Sequence, residues 1–178
     1  MYPSPSQPFL QRFFSGLTEQ TFETRLGLAD PSLVDYIAGL LARFVHCDSV
    51  YKVRNLAGKR LDLVTDMLIE ADARLGEARR EVHRHIGDYT LFWTGVYPEA
   101  LQRFETGVSK DRFLDYSALG KRAYYIASTL GSDDNASENE VLERLSHDFD
   151  LCRYGLSEVR REWERRDDGE TPKPIIIN

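Results

Sequence analysis

One run of apolar side chains constrains this chain more than any other feature. Leu61, Val64, Leu68, Ala71, Leu75, Ala78, Val82, His85, Tyr89 and Phe92 step by three and four without a gap. That is the a/d pattern of a helix packed along its whole length on near-parallel neighbours. The spacing predicts a single long helix over about 59–93.

Three weaker stripes accompany it. Val34, Ile37, Leu41 and Phe44, continuing to Asp48, predict a helix over about 31–49. Its start is marked by Asp30-Pro31, a capping carboxylate followed by proline at the first helical position. Phe113, Tyr116, Leu119, Ala123, Ile126 and Leu130 predict a third helix over about 111–130, with Gly120 a point of interruption. A fourth is read from the capping-box spacing Ser137-x-x-Glu140, with Leu142, Leu145, Phe149, Cys152, Leu156, Val159 and Trp163 as its stripe. Between the second and third, Gly95 reads as a helix end and Pro98 as a new start.

The flanks are shorter elements. Phe9, Phe13, Phe14 and Leu17 share helical spacing, and Thr18 reads as the N-cap of a second short helix carrying Phe22 and Leu26. Prolines at 3, 5 and 8 make residues 1–8 an extended arm. Pro172 and Pro174 do the same for the tail over 167–178, whose three isoleucines suggest a strap in an apolar groove. The expected fold is all-α: one domain over 1–178, resembling a four-helix bundle, with short accessory helices and extended termini.

Composition narrows the classes of function. A formal net charge of −6 disfavours nucleic acid and anionic membrane as partners, since both reward a basic surface. No apolar run approaches the roughly 20 residues that span a bilayer, and the first residues lack a signal-peptide pattern. Two cysteines, Cys47 and Cys152, do not form Cys-x-x-Cys or a disulfide framework. The expectation is a soluble cytoplasmic protein. Nucleotide-binding loops, Gly-x-Ser-x-Gly and His-Glu-x-x-His are all absent from the sequence.

Two groups of polar residues remain as candidates. His85 takes a position where the long stripe calls for an apolar side chain, with Glu81 four before it and Asp88 three after it. Tyr89 and Trp93 follow as walls, and Asp48 is a further inward-facing acid. An imidazole between carboxylates beside aromatic rings suits a general acid/base, a ligand pocket or a divalent metal held by Glu81, His85 and Asp88. The simpler reading is a core histidine that fixes helix register, and no metal or other cofactor is favoured. The second group is a basic face of Arg79, Arg80, Arg84, Arg160 and Arg161. Its arginine forks suit phosphate, but interleaved glutamates favour a salt-bridged surface over nucleic acid.

The leading expectation is a non-enzymatic helical interaction or structural module, a homo-oligomer or the binder of a protein partner. A small-molecule- or metal-binding bundle, or an enzyme built on one, is the alternative, and nucleic-acid association through the arginines is the weaker one.

Overall fold

A computed structural model describes residues 7–44, 53–55, 57–106 and 109–166. Among them the chain forms α-helices, short turns of tighter or wider helix, and one isolated bridge between Arg54 and Arg60, so the protein is all-α. The extended arm, the C-terminal strap, His46, Cys47 and Asp48 lie outside the described residues, apart from the end of the arm at Gln7 and Pro8, which already belongs to the first helix.

The helix start read at Asp30-Pro31 holds. α1 (Gln7–Gln20) runs into a π-helical turn (Thr21–Arg25), and α2 (Pro31–Phe44) follows. The Leu33 amide donates to Asp30 Oδ1 at 3.2 Å, and Arg144 of a later helix pairs with the other carboxylate oxygen. Asp30 therefore caps α2 and ties it to that helix. Val34, Ile37, Leu41 and Phe44 are all buried, as their spacing requires. Thr18 does not cap a helix; it lies inside α1 with its side chain buried.

The long second helix is broken. α3 (Val64–Ala73) and α4 (Gly76–Val96) are separated by Arg74 and Leu75, and Gly76 adopts φ +55°, where an L side chain is strained. The stripe is buried on either side of this joint except at the half-buried Leu68, but Leu75 is 83% exposed and Ala78 is exposed. Periodicity cannot register a break that a single glycine permits while the three-and-four count runs on. Arg74 holds the joint by donating to Glu70 at 2.8 Å and to the Arg54 carbonyl at 2.7 Å.

α5 (Pro98–Thr106) begins at Pro98 as read, and Gly95 lies in the last turn of α4, which ends one residue later at Val96. A short 3₁₀ turn (Lys110–Phe113) leads to α6 (Tyr116–Leu130), which starts later than the stripe predicted. Phe113 belongs to that turn and is 83% exposed, so the buried face of α6 is Tyr116, Gly120, Ala123, Tyr124 and Ala127. The fourth helix is also divided, at Asp148, into α7 (Ala136–His147) and α8 (Phe149–Arg166). Ser137 sits inside α7 and caps nothing, yet every apolar residue of the fourth stripe is buried.

α4 is the axis. It packs on α6, α8, α3 and α2, while α7 covers α6, and α1 lies against α2 and α8. A full side chain of the Leu or Phe class buried here contributes about 1.5–3 kcal/mol. One close approach is at Gly87 of α4, where a Cβ would lie 2.6 Å from the Tyr124 ring. That contact brings α6 against α4 one residue before Asp88.

Candidate functional site

The sequence candidates lie mostly on α4, and the structure sends them to different partners. Asp88 is buried, and three side chains from two other helices converge on it. Tyr36 of α2 and Tyr124 of α6 donate to Oδ1 at 2.7 and 2.8 Å, and Arg43 of α2 donates to Oδ2 at 3.1 Å. The two phenol rings meet edge to face with centroids 6.5 Å apart, and the Arg43 guanidinium lies 5.7 Å from the Tyr36 centroid. Burial, reinforced by the Asp88 charge, pushes both hydroxyls far above the ordinary tyrosine range. They stay protonated and serve as donors. Asp88 thus knots α2, α4 and α6 together.

His85 is buried one turn earlier, with its ring 6.0 Å from Phe44 and 6.1 Å from Tyr89. Tyr89 donates to the Asp62 carbonyl at 2.8 Å, and Trp93 packs edge-on against Tyr89 and Phe92. Glu81 accepts from Arg84 at 2.9 Å. Among the described residues, no three His, Cys, Asp or Glu side chains gather as a metal site. Asp48 lies outside those residues.

The basic face divides into ion pairs. Arg80 is fully buried; it donates to Glu77 at 3.0 Å, Glu138 at 2.8 Å and Asn139 at 3.1 Å. Arg84 donates to the other Glu138 oxygen at 2.6 Å. Burial alone would raise the Glu138 carboxyl, but the hydrogen bonds from Arg80 and Arg84 outweigh it and hold the group below its usual range. Arg79 faces Asp72 at 3.6 Å, and Arg161 pairs with Glu158 at 2.6 Å. Arg160 donates to the Val96 carbonyl at 2.6 Å, pairs with Glu99 and Glu164, and lies 4.8 Å over the Tyr97 ring. There it supplies a cation to the C-terminal end of α4. Each of the five arginines has an acidic partner within the fold.

Two buried polar residues carry weight that the sequence did not suggest. Asp111, in the 3₁₀ turn, accepts the Val64 and Thr65 amides at 2.7 and 3.0 Å, the Thr65 hydroxyl at 2.5 Å and the Tyr116 hydroxyl at 2.7 Å. It caps α3 from far along the chain, where the residue at the local cap position, Leu63, has no acceptor side chain. His83 is also buried, and burial together with the Arg79 charge lowers its pKa. The nearest sequence signal for Asp111 is Ser109, whose hydroxyl accepts the Asp111 amide at 3.2 Å and fixes the turn.

A cavity of about 220 Å³ lies beside Asp111. Thr94 of α4, Leu101 of α5, Arg112 of the turn and Leu114 after it, and Asp115 and Ser117 at the start of α6 line it. None of these residues stood out in the sequence, because each belongs to a different local pattern.

Fold and site together define an all-α protein organised around buried aspartate knots and ion-paired helix faces. Comparison with protein-family models, with curated proteins and with solved structures yields no match to this chain.

Proposed function

We propose that this protein is a non-enzymatic helical interaction module that binds a protein partner, a second copy of itself foremost. The observation that carries the reading is Leu75. It occupies a seam position in the sequence, yet it stands 83% exposed at the joint between α3 and α4. Ile69, six residues earlier on α3, is 64% exposed. Large aliphatic side chains held this far into water gain most when a partner covers them.

The interior supports the same reading. Asp88 accepts three donors within the fold, which suits a brace better than a general base, and the candidate arginines are paired. Glu81, His85 and Asp88 as a ligand or metal site is the lesser alternative. No helix among the described residues is long and apolar enough to cross a membrane. In this reading the protein works in the cytoplasm, where the buried free thiol of Cys152 stays reduced.

Sedimentation of the full chain tests the proposal. The expected result is a dimer at micromolar concentration that becomes a monomer in Leu75→Ser and Ile69→Ser with helicity retained. A wild-type monomer that also captures no second copy when crosslinked would sink the dimer. Deleting residues 170–178 asks separately whether the isoleucine tail takes part.

A further inference from the structure

The cavity beside Asp111 offers a set of groups that no other described residue occupies, and they have a common complement. Arg112 is the cation in its wall. Arg112 is exposed at the rim, its guanidinium lies 4.3 Å over the ring of the exposed Phe113, and no acid among the described residues pairs with it. The arginines of the candidate basic face, in contrast, are all paired. A guanidinium stacked on a ring keeps its in-plane donors for a carboxylate.

Asp115 supplies the opposite charge. One oxygen, Oδ1, accepts the Ala118 amide at 3.0 Å as the cap of α6, and the other has no partner among the described residues. The two hydroxyls in the wall differ in what they can still do. Ser117 Oγ accepts from Arg153 at 3.2 Å and keeps its own proton to donate. Thr94 donates to the Thr90 carbonyl at 2.6 Å and keeps lone pairs to accept. Leu101 and Leu114 supply the apolar part. Behind them, the four bonds to Asp111 hold the Tyr116 side of the wall in place.

We propose that this cavity binds a small zwitterion of the α-amino-acid type, with its carboxylate on Arg112, its ammonium on Asp115 and an aliphatic side chain against Leu101 and Leu114. A simple anion would meet Asp115, and a simple cation would meet Arg112; a ligand carrying both charges satisfies each. The size agrees. The volume of about 220 Å³ corresponds to ~7 waters at their liquid density, the bulk of a small amino acid and less than a drug-sized pocket. This site is separate from the Leu75 edge and stands whether or not the protein dimerises.

The probes are L-leucine and L-valine, with 4-methylpentanoate and isopentylamine as the leucine analogues lacking the amine and the carboxylate. Calorimetry on the full chain is expected to show saturable binding of an amino acid, weakened about tenfold or more in each analogue, the equivalent of about 1.4 kcal/mol. Arg112→Gln should weaken the amino acid and the carboxylate analogue but leave the amine analogue unchanged. Asp115→Asn should weaken the amino acid and the amine analogue but leave the carboxylate analogue unchanged, and asparagine keeps α6 capped, so the variant remains folded. Amide shifts in NMR spectra should centre on Leu101 and Ser117. No saturable binding of either amino acid at millimolar concentration would overturn the proposal. So would wild-type affinity for the amino acid in both variants, or shifts confined to another part of the molecule.

Discussion

Two buried aspartates hold this molecule, and they do it differently. Asp88 sits in mid-helix and collects side chains: a phenol and a guanidinium from α2 and a second phenol from α6. Asp111 sits in a short turn and collects the first amides of α3 together with two hydroxyls. The first aspartate fixes how long helices cross. The second lets a short helix begin where its own sequence provides no cap. A carboxylate in an all-α interior thus has two structural uses.

Removing each carboxylate tests that contrast most strongly. Asp88→Ala leaves Tyr124 buried without its acceptor and Arg43 without its counter-charge, though Arg43 can turn to water. The expected loss is about 2–4 kcal/mol. In a chain of this size that is a fall in Tm of several degrees per kcal/mol, read by calorimetry. Asp111→Ala should cost about 2–3 kcal/mol, and its exchange signature should differ. Amide exchange should speed up first in α3 for Asp111→Ala and across α2, α4 and α6 for Asp88→Ala. If both variants loosened the same helices, the distinction between knot and cap would fail.

Single hydroxyls give the next step down. Tyr124→Phe removes one of the donors to Asp88 and Tyr116→Phe one of those to Asp111. Each should cost about 1–2 kcal/mol in urea unfolding, because a hydrogen bond to a charged acceptor is lost. A neutral or stabilising Tyr124→Phe would show that burial of the phenol opposes the knot more than its bond supports it.

pH gives the smallest effects. Cys152 lies fully buried on α8, and burial pushes its thiol up to about 12. Its folded pKa is raised, so the stability it contributes is present below the unfolded value near 9 and declines as pH rises above that value. His83 has the opposite sign. Its folded pKa is lowered, so stability is retained above the unfolded value of 6.5 and falls as pH drops below it. Denaturant midpoints of Cys152→Ala and His83→Gln against wild type would check both; parallel curves for either variant would remove that group from the account. Below about pH 4.5 the Glu138 carboxylate adds its own loss, because its folded pKa is depressed and the Arg80 and Arg84 bonds need the charge.

Much of the helical content was legible because amphipathic spacing is a local property. Val34, Ile37, Leu41, Leu142, Leu156 and Trp163 are buried where their stripes place them. Tyr124 and Tyr125, which cannot both face inward on one helix, separate as spacing demands, with Tyr124 buried and Tyr125 53% exposed. The candidate site was legible only in part. Spacing marked Asp88 as facing the interior but could not show that Tyr36 and Tyr124, far away in the chain, would reach it. Asp111 was missed because its partners are backbone amides of another segment.

The sequence by itself determined that the chain is helical and marked many of the residues that form the apolar core, because side-chain periodicity acts over a few residues at a time. Only the tertiary structure decided where those stripes break, since Gly76 and Asp148 interrupt the backbone without interrupting the count. The break at Gly76 puts Leu75 in water, and the late start of α6 leaves Phe113 there too. The fold also decided which charges meet. Arg80 with Glu138 and Asp88 with Tyr124 are each brought to their setting by helix crossings. Those crossings depend on the fit of whole surfaces, such as Gly87 against the Tyr124 ring, which no local pattern encodes.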